Sequence, residues 1–205
     1  MSRSTSGAAP ATPESDDARR RRGRRNAFFI LLVCAAPTIA AYFAYYVWQP
    51  QGRVNYGELI EPRPVAGAPL AGEDGRPFSF VDLKGKWVLV HFDDAACAEP
   101  CSQKLFNMRQ ARIAQGREMD RIERVWVMMD DGAPPAELAR LTEGVRMVRR
   151  RGSDAIAGFP AAESVRDHVY VIDPLGNLML RFPREADPRR MMKDLSRLLK
   201  VSRVG

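Results

Sequence analysis

An α/β domain behind a single N-terminal transmembrane helix is the fold class that the sequence predicts. Three observations lead to this prediction. Residues 27–48 contain no charged side chain, and the stretch is long enough for a helix to cross a bilayer. Beyond residue 70, short runs rich in β-branched and aromatic residues alternate with segments of helical periodicity. Two cysteines four residues apart follow shortly after the first clear run of this kind.

The N-terminal segment carries much of the positive charge of the chain. Residues 1–25 contain seven arginines and three acidic residues, and so contribute more than half of the formal net charge of +7. The segment also has many small polar residues, so we expect residues 1–26 to form a disordered basic tail in the cytoplasm. No basic helix with interleaved aromatic residues accompanies this charge. Nucleic acid is therefore not an expected partner.

The uncharged stretch at residues 27–48 is interpreted as an uncleaved, single-pass membrane anchor. Arginines precede it, and they place the N-terminus in the cytoplasm. Tyr42, Tyr45, Tyr46 and Trp48 lie at its far end, as an aromatic belt at the membrane surface does. The rest of the chain is then expected in the periplasm, tethered to a bacterial inner membrane. A cleaved signal peptide is the alternative, but the apolar region is too long and no clear cleavage site follows it.

Residues 49–69 are rich in proline and glycine and predict an extended linker, so the folded domain is expected over residues 70–205. It opens with a turn at Glu73–Arg76 between two short extended pieces. Lys86–Phe92 (KWVLVHF) is typical of a buried strand because β-branched and aromatic residues predominate. After the cysteines, apolar residues at helical spacing predict a helix over about 101–115.

The second half of the domain continues this alternation. Val125–Met129 predicts a second buried strand, and Ala133–Leu141 predicts a helix opened by two prolines. Residues 147–167 show no clear pattern. His168–Ile172 and Asn177–Phe182 predict two antiparallel strands that a turn at Asp-Pro-Leu-Gly connects.

The last predicted helix has Asp187 as its N-cap, Pro188 at its first position and one apolar face. The predicted order is therefore strand, helix, strand, helix, hairpin and closing helix. This order, with cysteines between the first buried strand and its helix, is the plan of a thioredoxin-like domain. The full prediction is an α/β, thioredoxin-like domain behind a single N-terminal transmembrane helix.

Cys97 and Cys101 are the candidate catalytic residues. We expect them at a helix N-terminus, where the helix dipole and free N–H groups stabilise a thiolate. Their spacing brings the two sulfurs near one face of the first turn, close enough for a disulfide or for one soft metal ion. Cys97 is expected to be the more exposed thiol and Cys101 the inner one. A stabilising disulfide is a further alternative, although a bridge over such a short loop gains little chain entropy.

His91 and His168 are the two histidines of the chain. His91 lies within the first buried strand, so we expect its ring to be satisfied by hydrogen bonds. His168 stands at the start of the third predicted strand, where a thioredoxin-like fold faces the cysteine pair. There it could complete a Cys₂His metal site with Cys97 and Cys101, a donor set that suits copper. The alternative is a histidine at a strand entry without a ligand role.

Three stretches resemble the Sco/SenC family of cytochrome c oxidase assembly proteins. They are VDLKGKWVLVHF before the cysteines, VWVMMDDGAPPAEL at the second strand and DHVYVIDPLGNLMLRF at the histidine and hairpin. The resemblance implies a thioredoxin-like fold, copper bound by Cys97, Cys101 and His168, and an apo cytochrome c oxidase subunit as partner. The family usually has proline after each cysteine, whereas this chain has Ala98 and Ser102, so it resembles a divergent member.

Three functions agree with these residues. In the first, Cys97 and Cys101 bind copper as thiolates, with His168 as third ligand, and pass the ion to an apo-oxidase subunit. In the second, the protein is a thiol–disulfide reductase, in which Cys97 attacks and Cys101 resolves the mixed disulfide. This second function needs no histidine. The third is a non-catalytic, membrane-tethered scaffold.

Overall fold

The computed structural model describes residues 14–46, 55–65, 69–152 and 154–202. The chain divides into two units, one up to residue 52 and one from Arg53 onward. Residues 1–13 of the predicted tail, the end of the predicted membrane helix (47–48) and parts of the predicted linker (49–54 and 66–68) lie outside the described residues.

Helix α1, Glu14–Tyr46, is the described part of the N-terminal unit. By length and composition its segment Arg19–Tyr46 can cross a membrane, because an 18-residue window within it has a mean hydropathy of 2.2. The helix begins well before the predicted span, so residues 14–26, predicted as part of a disordered tail, are helical instead. Alanine, arginine and glutamate all favour helix, which explains the extension into the charged segment. Pro37 lies inside the helix, as membrane helices tolerate.

The second unit is built on one eight-stranded sheet. Its strands are β1 Glu58–Pro64, β2 Leu70–Gly72, β3 Pro77–Phe78, β4 Trp87–Asp93, β5 Ile122–Met128, β6 Val145–Arg149, β7 Val169–Ile172 and β8 Asn177–Phe182. Its helices are α2 Cys101–Ile113, α3 Ala139–Thr142 and α4 Pro188–Val201. The spatial order is β1-β8-β7-β4-β5-β6-β2-β3, with β4, β5 and β6 parallel to one another. The hairpin β7–β8 pairs antiparallel with β4, which confirms the predicted α/β, thioredoxin-like plan.

Strand β1 forms one edge of the sheet, in a stretch that the sequence assigned to the linker. It pairs antiparallel with β8, and Arg181 forms an ion pair across this pairing with Glu58, at 2.8 Å between Nη2 and Oε2. The N–H of Gly57 donates to the carboxylate of Asp194 in α4 at 2.8 Å. The folded unit therefore begins before the predicted boundary at residue 70. Most β1 side chains are exposed, so the strand lacks the apolar alternation that reveals strands in a sequence.

The segment between β5 and β7 also differs from the prediction. The helix predicted over Ala133–Leu141 is a 3₁₀ turn, Ala136–Leu138, that runs into the short α3. Strand β6 follows and pairs parallel with β5, where the sequence predicted no strand. Its sequence, VRMVR, includes two arginines, which weaken its apolar pattern.

Both faces of the sheet are packed. One face buries a cluster of aromatic rings, which consists of Phe80, Phe92, Phe159 and Tyr170. On the other face, Leu89 of β4 packs with Met108 of α2 and Leu195 of α4. A third cluster joins both cysteines to Leu105 of α2 and Trp126 of β5. The start of α2 is thereby fixed against the end of the central strands.

Asp187 is the N-cap of helix α4, as predicted, and its Oδ1 accepts a hydrogen bond from the N–H of Arg189 at 2.8 Å. The Asp187→Ala chain is expected to lose about 1 kcal/mol of the free energy of unfolding, because the first turn loses this acceptor. Chemical denaturation measures the loss. Asp187→Asn, which keeps an acceptor oxygen, is the control and should stay close to the wild type. An equal loss in both variants would contradict the capping role.

Candidate functional site

Cys97 and Cys101 are joined in a disulfide between the end of β4 and the start of α2. Their Cα atoms lie 5.1 Å apart, and the N–H of Cys101 donates to the carbonyl oxygen of Ala98 at 2.8 Å. Cys97 has a φ of 42°, in the left-handed region that residues other than glycine seldom adopt. Backbone strain of this kind is concentrated at functional sites. Cys97 is 5% exposed and Cys101 1%, so Cys101 is the inner residue of the pair.

Cys101 is the first residue of helix α2, so the pair lies at a helix N-terminus. Pro100 is the N-cap and makes no side-chain hydrogen bond to the helix, and the first turn contains no acidic residue. The positive end of the helix dipole is therefore not neutralised by its own first turn. After reduction of the disulfide, this position favours the thiolate form of the cysteines.

His91 lies on β4, six residues before the first cysteine. Strand alternation puts its side chain on the same face as Trp87 and Leu89, towards α2. The side chain is fully buried, and neither ring nitrogen makes a hydrogen bond of normal geometry among the described residues. The Asp93 carboxylate, with Oδ2 at 3.6 Å from Nε2, and the backbone of His168 interact with the ring at longer range, so the expected hydrogen bonds are present only in a long form. Burial lowers the pKa of His91, so the imidazole is neutral at pH 7.

A ring nitrogen of His91, a carboxylate oxygen of Asp93 and Sγ of Cys101 all lie within 4.8 Å of one another. Within the described ranges this is the one group of three or more His, Cys and acidic side chains close enough to share a metal ion. Cys97 is bonded to Cys101 and therefore lies beside the group. Partial burial by itself raises the pKa of Asp93, but His91 and the N–H of Asp94 hold it below its usual value. The Asp93 carboxylate is therefore ionised.

His168, the predicted third metal ligand, does not belong to this group. It is half-buried, and its Nδ1 lies 2.9 Å from the carbonyl oxygen of Phe182 on β8. Its ring contacts that of Tyr170, at 5.7 Å between centroids, and Tyr170 belongs to the aromatic cluster on the sheet face opposite His91. The structure brings the two predicted cysteines together and places His168 apart from Cys101. Its role as a ligand stays a prediction.

Charged side chains connect the end of β4 with α2 and with the turn before β7. Arg166 donates two hydrogen bonds to the carboxylate of Asp94, at 2.6 and 2.7 Å, and this pairing raises the pKa of Arg166. Lys104, one turn into α2, is buried, and its Nζ donates to the carbonyl oxygen of Arg166 at 2.8 Å. Burial lowers the pKa of Lys104, an effect that the negative charge of Asp93 opposes. These contacts hold the turn before β7 against the cysteine-bearing helix.

Sequence reasoning missed His91, Lys104 and Arg166 as parts of this site. A signal existed for two of them. His91 lies two residues after Leu89 on the same strand, so the two side chains point to the same face of the sheet, which is the face that helices cover. Lys104 occupies the buried stripe of α2 that begins at Cys101. Arg166 lies in a segment without periodicity, and its contacts depend on the tertiary fold.

Solved structures share this fold. Yeast Sco1 with copper bound has a TM-score of 0.53 at 16% identity, over 68% of this chain and 96% of the yeast chain. A SCO1/SenC family lipoprotein from Bacillus anthracis str. Ames has 0.51 at 19%, over 69% and 99%. The thioredoxin domain of a thiol-disulfide oxidoreductase from Bacteroides vulgatus has 0.52 at 16%, over 69% and 99%. At these identities the likeness shows the fold alone, and the resemblance to Sco/SenC proteins is confirmed at that level. No curated protein matches the sequence.

A protein-family model also matches this chain over the part that contains the candidate site. It is described as a transmembrane-like, thioredoxin-like, C-terminal domain, and it matches residues 87–202. The match runs from the first residue of β4 to just beyond α4 and so includes both cysteines and both histidines. Because it spans more than half of the chain, the protein belongs to this family of transmembrane-like, thioredoxin-like C-terminal domains.

Proposed function

We propose that this protein is a membrane-anchored, thioredoxin-like copper-handling protein that helps to assemble a copper site of cytochrome c oxidase. The observation that carries the proposal is the position of Cys97 and Cys101, which lie together at the N-terminus of α2 beside a buried, neutral imidazole. Thiolates favour Cu(I), and imidazole is a good copper ligand. The shared fold of yeast Sco1, which was solved with copper bound, supports the proposal.

The charge distribution around α1 supports a site of action outside the cytoplasm. Arginines precede the apolar part of the helix, and the positive-inside rule puts such residues on the cytoplasmic side. In the proposed arrangement, α1 spans a bacterial inner membrane and the folded unit faces the periplasm. An apo subunit of cytochrome c oxidase is the proposed recipient of the copper.

Copper is the cargo in this proposal, and the disulfide has to open before the sulfurs can bind it. A partner dithiol supplies two electrons and two protons, which convert the Cys97–Cys101 disulfide to two thiols while the partner becomes a disulfide. The dipole of α2 then favours loss of the thiol protons to solvent. The resulting thiolates hold the ion until ligands of the recipient take it over. His168 is the third ligand that the sequence resemblance implies.

A second candidate function is thiol–disulfide exchange, which the disulfide itself favours. The thiolate of Cys97 attacks a partner disulfide, forms a mixed disulfide and releases one partner thiolate. Cys101 then attacks the sulfur of Cys97 and releases the second partner thiolate, so the electron pair passes to the partner. The shared fold of the thiol-disulfide oxidoreductase from Bacteroides vulgatus supports this candidate. The two functions are compatible, since a recipient needs reduced cysteines to accept copper through sulfur.

Titration of the full chain with Cu(I) tests the proposal. The protein is purified in detergent, reduced, and titrated without oxygen in competition with a chromophoric Cu(I) chelator. We expect one tightly bound Cu(I) per reduced chain and none on the oxidised chain, because a disulfide offers no thiolate. Cys34→Ser removes the one cysteine outside the pair and is the matched control, which should bind like the wild type.

Failure of the reduced wild type to compete for Cu(I) would contradict copper handling. The second candidate is then tested by counting free thiols after treatment with oxidised glutathione and after re-reduction. Reversible loss of two thiols per chain would support exchange. A pair that neither binds copper nor cycles would leave only the scaffold function.

A further inference from the structure

His91 is fully buried beside the cysteine pair, on the face of β4 that α2 covers. Neither ring nitrogen makes a hydrogen bond of normal geometry among the described residues, and only the Asp93 carboxylate and the backbone of His168 interact with the ring at longer range. A buried polar group without a partner destabilises a folded chain, and native proteins contain few of them. An apolar residue would suit the position, since Trp87 and Leu89 pack on the same face of the strand. A ligand for the ring would account for a histidine here.

The distances around His91 fit such a ligand. One of its ring nitrogens, Sγ of Cys101 and a carboxylate oxygen of Asp93 lie within 4.8 Å of one another. Bonds of about 2.0–2.3 Å from a metal to nitrogen and sulfur, with about 120° between three ligands, place two such ligand atoms about 3.8 Å apart. Side-chain movements of about 1 Å therefore bring the ring nitrogen and Sγ of Cys101 into one coordination sphere. Reduction of the disulfide adds Cys97 as a second free sulfur at the same place.

We propose that His91 is the imidazole ligand that joins the reduced Cys97 and Cys101 around one Cu(I) ion, with Asp93 orienting the ring. The inference rests on the proposed copper function, and it assigns the third ligand to β4 and not to His168. When one ring nitrogen binds the ion, the other is free to donate to Asp93, a common support for histidine ligands. The 3.6 Å between Nε2 of His91 and Oδ2 of Asp93 leaves only a short approach for this bond.

The surrounding charges suit this assignment. Two thiolates and one Cu(I) ion carry a net charge of −1, and the nearby Asp93 adds a further negative charge. The buried ammonium of Lys104, one turn into α2, interacts electrostatically with both His91 and Asp93 and offsets this charge. Arg166 lies 3.6 Å from the Asp93 carboxylate, but its two short hydrogen bonds go to Asp94, so it mainly offsets the charge of Asp94. Lys104 therefore compensates one of the two negative charges of the copper-loaded site.

The position of His168 supports the same assignment. Alternation along β7 directs Val169 to the helix-covered face of the sheet, where His91 lies, and directs Tyr170 to the other face. His168 contacts the ring of Tyr170, so its side chain also points to the face opposite His91. Its Nδ1 lies 2.9 Å from the carbonyl oxygen of Phe182, so only Nε2 is open to a ligand. To bring Nε2 to the cysteines, the ring of His168 would have to leave the aromatic face, whereas His91 already lies in one group with Cys101.

X-ray absorption spectroscopy at the copper edge tests the inference on the untagged, reduced, full chain loaded with Cu(I). The matched variants are His91→Leu and His168→Leu. For His168→Leu we expect the imidazole scattering and the Cu(I) affinity of the wild type, within about threefold. For His91→Leu we expect loss of the imidazole scattering and an affinity at least about tenfold lower, as loss of a supporting group already costs 10–100-fold.

The outcomes separate the two proposals. Copper bound without imidazole scattering, or scattering lost only in His168→Leu, would overturn the role of His91 and leave copper handling intact. No copper binding by the wild type would overturn both. The test does not depend on the folding of His91→Leu. The chain has two histidines, so imidazole scattering that persists in His168→Leu assigns the ligand to His91.

Discussion

The Cys101→Ser chain is expected to lose more than about 100-fold in Cu(I) affinity and to form no intramolecular disulfide. A serine hydroxyl is a hard donor that Cu(I) does not favour, and loss of a direct ligand exceeds the roughly 10–100-fold effect of losing a supporting group. Cys101 is the inner residue of the pair, at 1% exposure, and adjoins both Cys97 and His91. The remaining cysteine, Cys34, belongs to α1 and to the other unit of the chain.

The same Cu(I) competition titration measures this effect, with the reduced wild type as reference. The fold should survive, because a disulfide across so short a loop stabilises the protein by at most about 2 kcal/mol. Metal-free Cys101→Ser should still unfold cooperatively, at a somewhat lower denaturant concentration than the metal-free, reduced wild type, because a hydroxyl replaces a thiol in the buried cluster with Leu105 and Trp126. An affinity within tenfold of the wild type in a folded variant would show that the paired thiolates are not the copper site.

Phe159→Ala is expected to lower the free energy of unfolding by about 3–5 kcal/mol, the usual range for removing a buried aromatic ring. Phe159 is 4% exposed, and its ring contacts those of Phe80, Phe92 and Tyr170, with centroids 4.8–5.9 Å apart. For a folded unit of this size, such a loss lowers Tm by roughly 6–20 °C. Differential scanning calorimetry of the full chain in detergent measures the shift.

The ring of Phe159 also anchors the segment that leads to β7. Next to it, the hydroxyl of Tyr170 donates to the carbonyl oxygen of Pro160 at 2.9 Å. Leu175→Ala is the matched control, because this side chain is 66% exposed and its loss should change the free energy of unfolding by less than about 0.5 kcal/mol. Equal shifts in Tm for the two variants would contradict a central role for the aromatic cluster.

The buried elements of the fold could be predicted closely from the sequence. Strand β4 was predicted at Lys86–Phe92 and is found at Trp87–Asp93, and β8 was predicted at its observed bounds, Asn177–Phe182. Helix α4 begins directly after its predicted cap, Asp187. These elements bury one or both faces, so their apolar periodicity is strong and local. Burial and helix caps therefore leave patterns in the sequence that can be recognised without knowing which segments pack together.

The exposed elements could not be predicted in this way. Strand β1 is mostly exposed at the sheet edge, and its backbone pairing with β8 depends on a segment over 100 residues further along the chain. Strand β6 includes two arginines and is stabilised by β5 and β2 beside it. A strand whose partners are distant in sequence and whose side chains face solvent has no periodic signature of its own.

For the site, the sequence by itself determined which reactive groups are present. These are two cysteines at the start of a helix, after a buried strand and behind an apolar segment of membrane-spanning length. Local spacing suffices for this, because Cys97 and Cys101 share one turn. Which histidine lies beside them was decided only by the tertiary structure. The direction of a side chain depends on strand parity and on packing between distant segments. That parity turns His91 towards Cys101 and leaves His168 against the aromatic face.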